Sequence, residues 1–297
     1  MHRDAIVIGG SFAGLSAAMY IARALRSVAV LDTGLPRNRF AGHSHGFFGQ
    51  DGGVPGEMLA RAREQVAAYP TVSFIEERAV AAEKQGDGFA VRLANGDVLE
   101  ASRLVLAFGI RDELPHIPGL AERWGNSVIH CPYCHGYEYA GRRLGVLNLS
   151  PMSIHQAELI AEWGPTTFFL NGGPEPDAAG MAELARRGIA IEARPVKALH
   201  GQGRELSAIE FTDGASVPLD ALYIGPKAHL NSAIGAELGC AYDDIYFGSI
   251  IRTDRMKATT VPGIFAAGDI TGGAHSVSFA VADGVMAGTA LHRSLVF

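Results

Sequence analysis

Two short apolar blocks bracket a helical pattern at the start of the chain. Ala5-Ile6-Val7-Ile8 is a continuous apolar run of the kind a buried parallel strand presents. From Leu15 to Arg26, Ala, Met, Ile and Leu recur at helical spacing. Val28-Ala29-Val30-Leu31 is a second run, and Asp32 ends it. Residues 4–32 therefore predict a strand, a helix and a second parallel strand. After a loop over 36–54 rich in Gly, His, Phe and Asn, Pro55 opens a predicted helix to about Tyr69. Strands are predicted at 72–75, 89–93 and 98–101, the last two joined by the hairpin signal Asn95-Gly96. Leu104 to Ala107 predicts a return to the parallel sheet, ending at Phe108-Gly109.

Pro115, Pro118 and Gly119 mark a linker, and the pattern then repeats. Leu144 to Leu147 reads as a strand, Ile154 to Trp163 as a helix, Thr167 to Leu170 as a strand and Ala178 to Arg187 as a helix. Short strands follow to Ile224, with a hairpin turn near Asp213-Gly214, and Gly225-Pro226 starts the return. The last segment holds Ile264-Phe265-Ala266-Ala267-Gly268-Asp269 and a helix from about Ser276 to Arg293. The class is α/β, with two strand–helix–strand units.

Composition narrows the function. At 297 residues, 48% of them hydrophobic, the chain can fill two cores. The net charge of −6 and the lack of a Lys/Arg-rich run argue against a nucleic-acid partner. No apolar run approaches the ~20 residues of a membrane span. A strand beginning at residue 4 leaves no room for a leader, so the expected location is cytoplasmic. Three cysteines in such a chain do not suggest a structural disulfide framework. Cys240 reads as a small buried apolar residue.

Three stretches carry candidate chemistry. Gly9-x-Ser11-x-x-Gly14 lies between strand and helix, with an acid 18 positions beyond Gly14. Glycine permits a sharp bend, the helix N-terminus offers N–H groups to a pyrophosphate, and the acid accepts hydrogen bonds from a ribose. The competing reading is a tight turn without ligand. Gly268-Asp269 before a helix again places an acid beside free N–H groups, or is simply an acidic helix start. His43-Ser44-His45 has no third ligand at useful spacing, so no metal is expected.

The third stretch is His130-Cys131-Pro132-Tyr133-Cys134-His135-Gly136-Tyr137-Glu138. Cys131 and Cys134 can form a redox disulfide, with His135 as an adjoining proton carrier. Other readings are a zinc site, which lacks two ligands; c-type haem attachment, which needs export; and the glutaredoxin tetrapeptide, which needs a thioredoxin-like domain around it.

Taken together, the N-terminal turn, the Leu-Ala-Phe-Gly strand end, the inserted CxxC and the C-terminal Gly-Ile-Phe-Ala-Ala-Gly-Asp resemble the low-molecular-weight thioredoxin reductase family. The resemblance covers essentially the whole chain. It implies two Rossmann-like (three-layer ββα) domains: a discontinuous FAD domain at 1–113 and 243–297, and an inserted NAD(P)H-type domain at 114–242 carrying the CxxC. It implies that Gly9, Ser11, Phe12, Ala13 and Gly14 contact the FAD pyrophosphate and Asp32 the adenosine ribose. Val80 would contact adenine, and Ala107 and Gly109 form the strand end beside FAD. Gly268-Asp269 would hold the ribityl chain, and Ser276 and Val277 would start a helix aimed at the flavin ring. A homodimer is the family's habit.

The departures give a direction. The residue after the second cysteine, usually Asp in thioredoxin reductases, is His135. That version resembles the dithiol-oxidase branch, whose members close disulfides of small natural products such as gliotoxin, holomycin and romidepsin. Histidine accepts protons near pH 7 better than aspartate. The second strand–helix turn, Leu147-Asn148-Leu149-Ser150-Pro151-Met152-Ser153, has no glycine. Where NADPH-using members carry His-Arg-Arg, Phe169 to Glu175 has an acid and no Arg. Where many members have Arg-Gln, this chain has His275-Ser276. The expected activity is FAD-dependent oxidation of a small-molecule dithiol through Cys131 and Cys134. The alternatives are an NADPH- or other-donor-dependent reductase of a thioredoxin-like protein, and a flavin redox sensor without turnover. NAD(P)H binding stays open.

Overall fold

The computed structural model describes residues 2–272 and 274–297. Along the chain run β1 (Arg3–Ile8), α1 (Phe12–Arg23), β2 (Val28–Leu31), α2 (Pro55–Ala67), β3 (Val72–Ile75), β4 (Ala79–Gln85), β5 (Gly88–Leu93), β6 (Val98–Leu106) and β7 (Ile110–Glu113). Then come β8 (Val128–Ile129), α3 (Pro132–His135), β9 (Leu144–Leu147), α4 (Met152–Ile160), β10 (Thr166–Phe169), α5 (Ala178–Arg186), β11 (Ala190–Glu192), β12 (Val196–His200), β13 (Ala208–Phe211), β14 (Ser216–Pro218) and β15 (Ala221–Tyr223). The chain ends with β16 (Lys227–Leu230), α6 (Ile234–Glu237), β17 (Tyr242–Ile245), β18 (Gly248–Ile251), β19 (Ile264–Ala266) and α7 (Val277–Ser294). Two compact units result: Met1–Arg39, Val54–Arg111 and Ala228–Phe297 form the first, and Phe40–Gly53 with Asp112–Lys227 the second.

In the first unit one sheet runs β3-β2-β1-β6-β5-β4, with β19 also on β6. Strands β3, β2, β1, β6 and β19 are parallel, and the β4–β5–β6 meander is antiparallel. The segments 98–101 and 104–107, expected as two strands, prove to be one long strand that ends at Leu106. The first half of β6 pairs with β5 and its second half with β1 and β19. Ala5 and Val7 point into the core shared with α1 and α7, while Ile6 and Ile8 point into the opposite core. This alternation explains why the strand is apolar at every position: both faces are covered.

The second unit has a parallel sheet, β11-β10-β9-β15-β8. Ala157, Ile160 and Leu184 of α4 and α5 pack on one face. The antiparallel sheet β12-β13-β14 covers the other with Leu199, Ile209 and Phe211. Sheet, sheet and helices make a three-layer ββα unit.

The units divide the chain differently from boundaries at 113/114 and 242/243 in two places. Residues 40–53 go with the second unit, where the Arg204 guanidinium donates to the Phe40 and Trp124 carbonyls. Residues 228–242 go with the first, because Ile234 and Cys240 are buried in its core. No helix among the described residues is long and apolar enough to cross a membrane.

Candidate active site

The first strand–helix turn is built for a close approach. Gly9 has a φ of +117°, a region that side chains rarely adopt, and a Cβ there would strike the Ala107 carbonyl. A Cβ on Gly10 would lie 2.6 Å from Asp32 Cβ and Cγ, and one on Gly14 would strike the Gly9 carbonyl. The motif spacing alone does not single out Gly10, whose place is set by this contact with Asp32. Ser11 is the N-cap of α1, yet its side chain accepts no helix N–H. The first-turn N–H groups of Phe12, Ala13 and Gly14 therefore keep no capping partner. Asp32 follows β2 and accepts from Gly34 N at 3.1 Å, with the Arg63 guanidinium 3.5 Å away. A bare backbone cradle, open helix N–H groups and an acid at the next strand end fit the pyrophosphate and ribose of FAD.

Other expected FAD residues gather at the same sheet end. Ala107 N donates to Ile8 O at 2.8 Å, and Ala267 N to Leu106 O at 2.9 Å. A Cβ on Gly268 would lie 2.9 Å from Ala13 Cβ. Gly9, Ala13, Ala107 and Gly268 are thus one cluster. Asp269 is bound by Arg37 at 3.2 Å, a partner that sequence reasoning missed. Asp283 of α7 ties the segment down: it accepts from Gly268 N and from Thr271 and pairs with Lys257 at 2.7 Å. Ser276 caps α7, its Oγ accepting from Phe279 N at 3.1 Å, and Val277 is the first helical residue. Gly109 lies beyond the strand end with a φ of +65°. Val80, in β4, is 39% exposed.

The cysteine stretch lies in the second unit. Cys131 is the N-cap of the single turn α3 and Cys134 lies within it; the two are joined by a disulfide, with Cα atoms 5.3 Å apart. Both are partly exposed. α4 anchors the stretch: Gln156 donates to the His130 carbonyl at 3.1 Å. A Cβ on Gly136 would lie 2.7 Å from the Trp163 indole nitrogen, so only glycine fits there. Tyr133 packs edge-on against that indole at 5.8 Å. His135 follows the disulfide and lines a cavity of about 230 Å³. Burial pushes its pKa below the usual histidine value; Glu138 opposes that shift and His45 adds to it. Burial thus favours the neutral form of His135, which has a free ring nitrogen to accept a proton. Among the described residues no group of three His, Cys, Asp or Glu could hold a metal ion. Cys240 is buried and unpaired, burial raises its pKa, and its thiol donates to Thr259 Oγ1 at 3.6 Å.

The second strand–helix turn has a different surface. Ser153 is 2% exposed, and its Oγ accepts from Leu149 N at 3.0 Å and Ser150 N at 3.2 Å. Two backbone donors of this turn are thus satisfied by a side chain of the chain itself. Just after β10, Asn171 Oδ1 accepts from Val196 N at 2.9 Å. Arg194, a nearby cation missed in the sequence, is held by Glu192 at 2.6 Å and lies over the Phe211 ring at 4.1 Å.

One unit holds a glycine cradle of the kind that takes a dinucleotide, and the other holds a disulfide beside an imidazole. The comparisons agree. Residues 3–284 match the model of the pyridine nucleotide-disulphide oxidoreductase family, and the chain belongs to that family. It is 32% identical over 296 residues to "Thioredoxin reductase tcpT" of Claviceps purpurea, covering 96% of this chain and 92% of that protein. An oxidoreductase from Agrobacterium tumefaciens superposes with a TM-score of 0.95 at 48% identity, over 100% of this chain and 99% of that one. The crystal structure of HlmI gives 0.94 at 35% identity, over 99% and 93%. The chain is a thioredoxin reductase-like enzyme, an FAD-dependent disulfide oxidoreductase acting on thiol or disulfide substrates.

Proposed function

We propose that the enzyme oxidises a small-molecule dithiol to a disulfide. The observation that carries this direction is Ser153, whose Oγ takes the Leu149 and Ser150 N–H groups. A reductase would need those donors for its nicotinamide cofactor's phosphates. Here the turn is closed on itself, and electrons enter through the sulfurs instead.

His135 takes the proton of one substrate thiol. The resulting thiolate attacks Cys131 Sγ, forming a mixed disulfide, and Cys134 leaves as a thiolate. The second substrate thiol loses its proton and attacks the substrate sulfur of that bridge. The substrate leaves as a disulfide, Cys131 takes up a proton, and two electrons now reside in the Cys131–Cys134 pair. FAD, when bound, supplies the acceptor for that electron pair. Gly9, Ser11 to Gly14 and Asp32 would hold its pyrophosphate and ribose, and Gly268-Asp269 its ribityl chain. Ala107, Gly109, Val80 and the α7 start at Ser276-Val277 complete the site we assign to it. Cys131, Cys134 and His135 are the catalytic residues of this reading. The same reading makes the enzyme a cytoplasmic homodimer; a monomer mass on sedimentation of the holoenzyme would overturn that part.

The test is anaerobic mixing of the yellow holoenzyme with dithiothreitol, NADPH or NADH. We expect dithiothreitol alone to bleach the flavin, with recovery in air. Rapid bleaching by NADPH would overturn the direction and favour a thioredoxin-type reductase. No bleaching by any of the three would point to a sensor. His135→Ala should slow dithiothreitol turnover by about 10²–10⁴-fold. In the native enzyme the rate should fall on acidification only below the ordinary histidine range, because burial favours the neutral, accepting form of His135. A flat pH profile with an unchanged His135→Ala rate would remove the base assignment.

A further inference from the structure

Each turnover leaves a proton on His135, and that proton must leave before the next thiol arrives. The cavity beside His135 is also lined by His43, His45, Asn126, Glu138, Tyr139, Arg142 and Glu205. Not all can carry protons. The Tyr139 hydroxyl donates to Asn126 O at 3.2 Å, and burial, helped by Glu205, pushes its pKa up to about 12. Arg142 stays charged and lies over the Tyr139 ring at 5.5 Å. Glu205 accepts from Asn126 Nδ2 at 3.0 Å.

His45 and Glu138 are different. His45 Nε2 is 3.5 Å from Glu138 Oε1, and His45 Nδ1 is 3.6 Å from Asp51 Oδ1. The side chain of His45 is 25% exposed and that of Asp51 is 70% exposed. Glu138 is 38% exposed, so a carboxylate, an imidazole and a second carboxylate form a row that starts in the cavity lining and ends at Asp51, its most exposed member. The loop that presents His45 is tied in place. Ser44 N donates to Gly53 O at 2.8 Å, Gly52 N to Ser44 O at 2.9 Å, and Gly46 N to Asp51 Oδ1 at 2.8 Å. An imidazole suits the middle of such a row, because it can accept a proton at one nitrogen and release one from the other.

We propose that Glu138, His45 and Asp51 form a relay that carries the proton of the His135 imidazolium through the cavity to solvent. The inference rests on His135 as the thiol base. The transfer is proton movement only: the proton leaves a ring nitrogen of His135, passes by cavity water or Glu138 to His45 Nε2, and a proton leaves His45 Nδ1 toward Asp51 and bulk water. The electron pair stays with the sulfurs. His45 is a positioning and relay residue and touches no reacting sulfur.

The experiment is steady-state oxidation of dithiothreitol in air by the holoenzyme, its His45→Ala and His45→Gln variants, and His135→Ala. His45→Ala and His45→Gln should each lower kcat about tenfold, with KM and bound FAD unchanged. Added imidazole should restore the His45→Ala rate in a concentration-dependent way, while sodium chloride at matched ionic strength should not. Glu138→Gln should reproduce the loss. An unchanged kcat for His45→Ala, or a loss that imidazole does not repair, would overturn the relay. If His135→Ala is as fast as the native enzyme, the base reading itself fails, and that outcome is separate from anything seen at His45.

Discussion

The two strand–helix turns, Gly9 to Gly14 after β1 and Leu147 to Ser153 after β9, each follow a strand flanked on both sides by parallel neighbours. In the first, added Cβ atoms at Gly9, Gly10 and Gly14 would meet backbone or Asp32. Its N-cap side chain leaves the helix N–H groups alone. In the second, no residue is glycine, and a buried serine accepts two of the backbone N–H groups. The residues after the next strands differ in the same sense. Asp32 keeps a carboxylate at the mouth of the first turn, whereas Asn171 spends its oxygen on Val196 N. On the reading proposed above, the second turn takes no dinucleotide: the strand–helix–strand fold is kept, and the Ser153 hydroxyl takes the hydrogen bonds of two N–H groups that would otherwise need a ligand or water.

The largest effect should come from filling the first cradle. Gly14→Val puts a branched side chain against the Gly9 carbonyl, which is backbone and cannot swing aside. We expect purified Gly14→Val to carry no FAD, read as flavin absorbance per chain. A fully yellow variant would mean that the turn does not approach the cofactor, and the contrast between the turns would collapse. A smaller effect belongs to Asp32→Ala. Losing charge-assisted hydrogen bonds to a ribose should weaken FAD binding by about 2 kcal/mol, roughly thirtyfold in Kd. An unchanged Kd by flavin fluorescence would leave the glycines alone responsible.

The first turn was legible in the sequence because its determinants are local. Strand, glycines, helix and acid fall within about thirty residues and read in order. The CxxC and His135 were equally visible. The support around them was not, because it comes from sequence-distant residues: Arg37 at Asp269, Lys257 and Asp283 behind Gly268, and His45 at Glu138. Strand β4, with its run Glu83-Lys84-Gln85, lacked the apolar signal because those positions are exposed. Ser153 is the instructive miss. The lack of glycine in the second turn was read from sequence, but a serine four residues past Leu149 gives no sign that its hydroxyl folds back onto two amides. Residues 40–53 likewise joined the second unit through contacts such as Arg204 with Phe40, which no periodicity announces.

The smallest expected effect tests the second turn itself. Ser153→Ala removes the oxygen that accepts from Leu149 and Ser150 N–H. Both donors are only part-buried, so water can replace the lost acceptor in part, and the cost should be about 1 kcal/mol in thermal unfolding. FAD content should not change, because the first turn belongs to the other unit. NADPH should still fail to bleach the flavin: freeing two N–H groups does not supply the glycine that lets a pyrophosphate approach the backbone. If NADPH did bleach Ser153→Ala, one hydroxyl would be the whole barrier, and the enzyme would be one substitution from a reductase. If stability and NADPH response were both unchanged, the Ser153 bonds would carry no weight, and the contrast between the turns would rest on glycine alone.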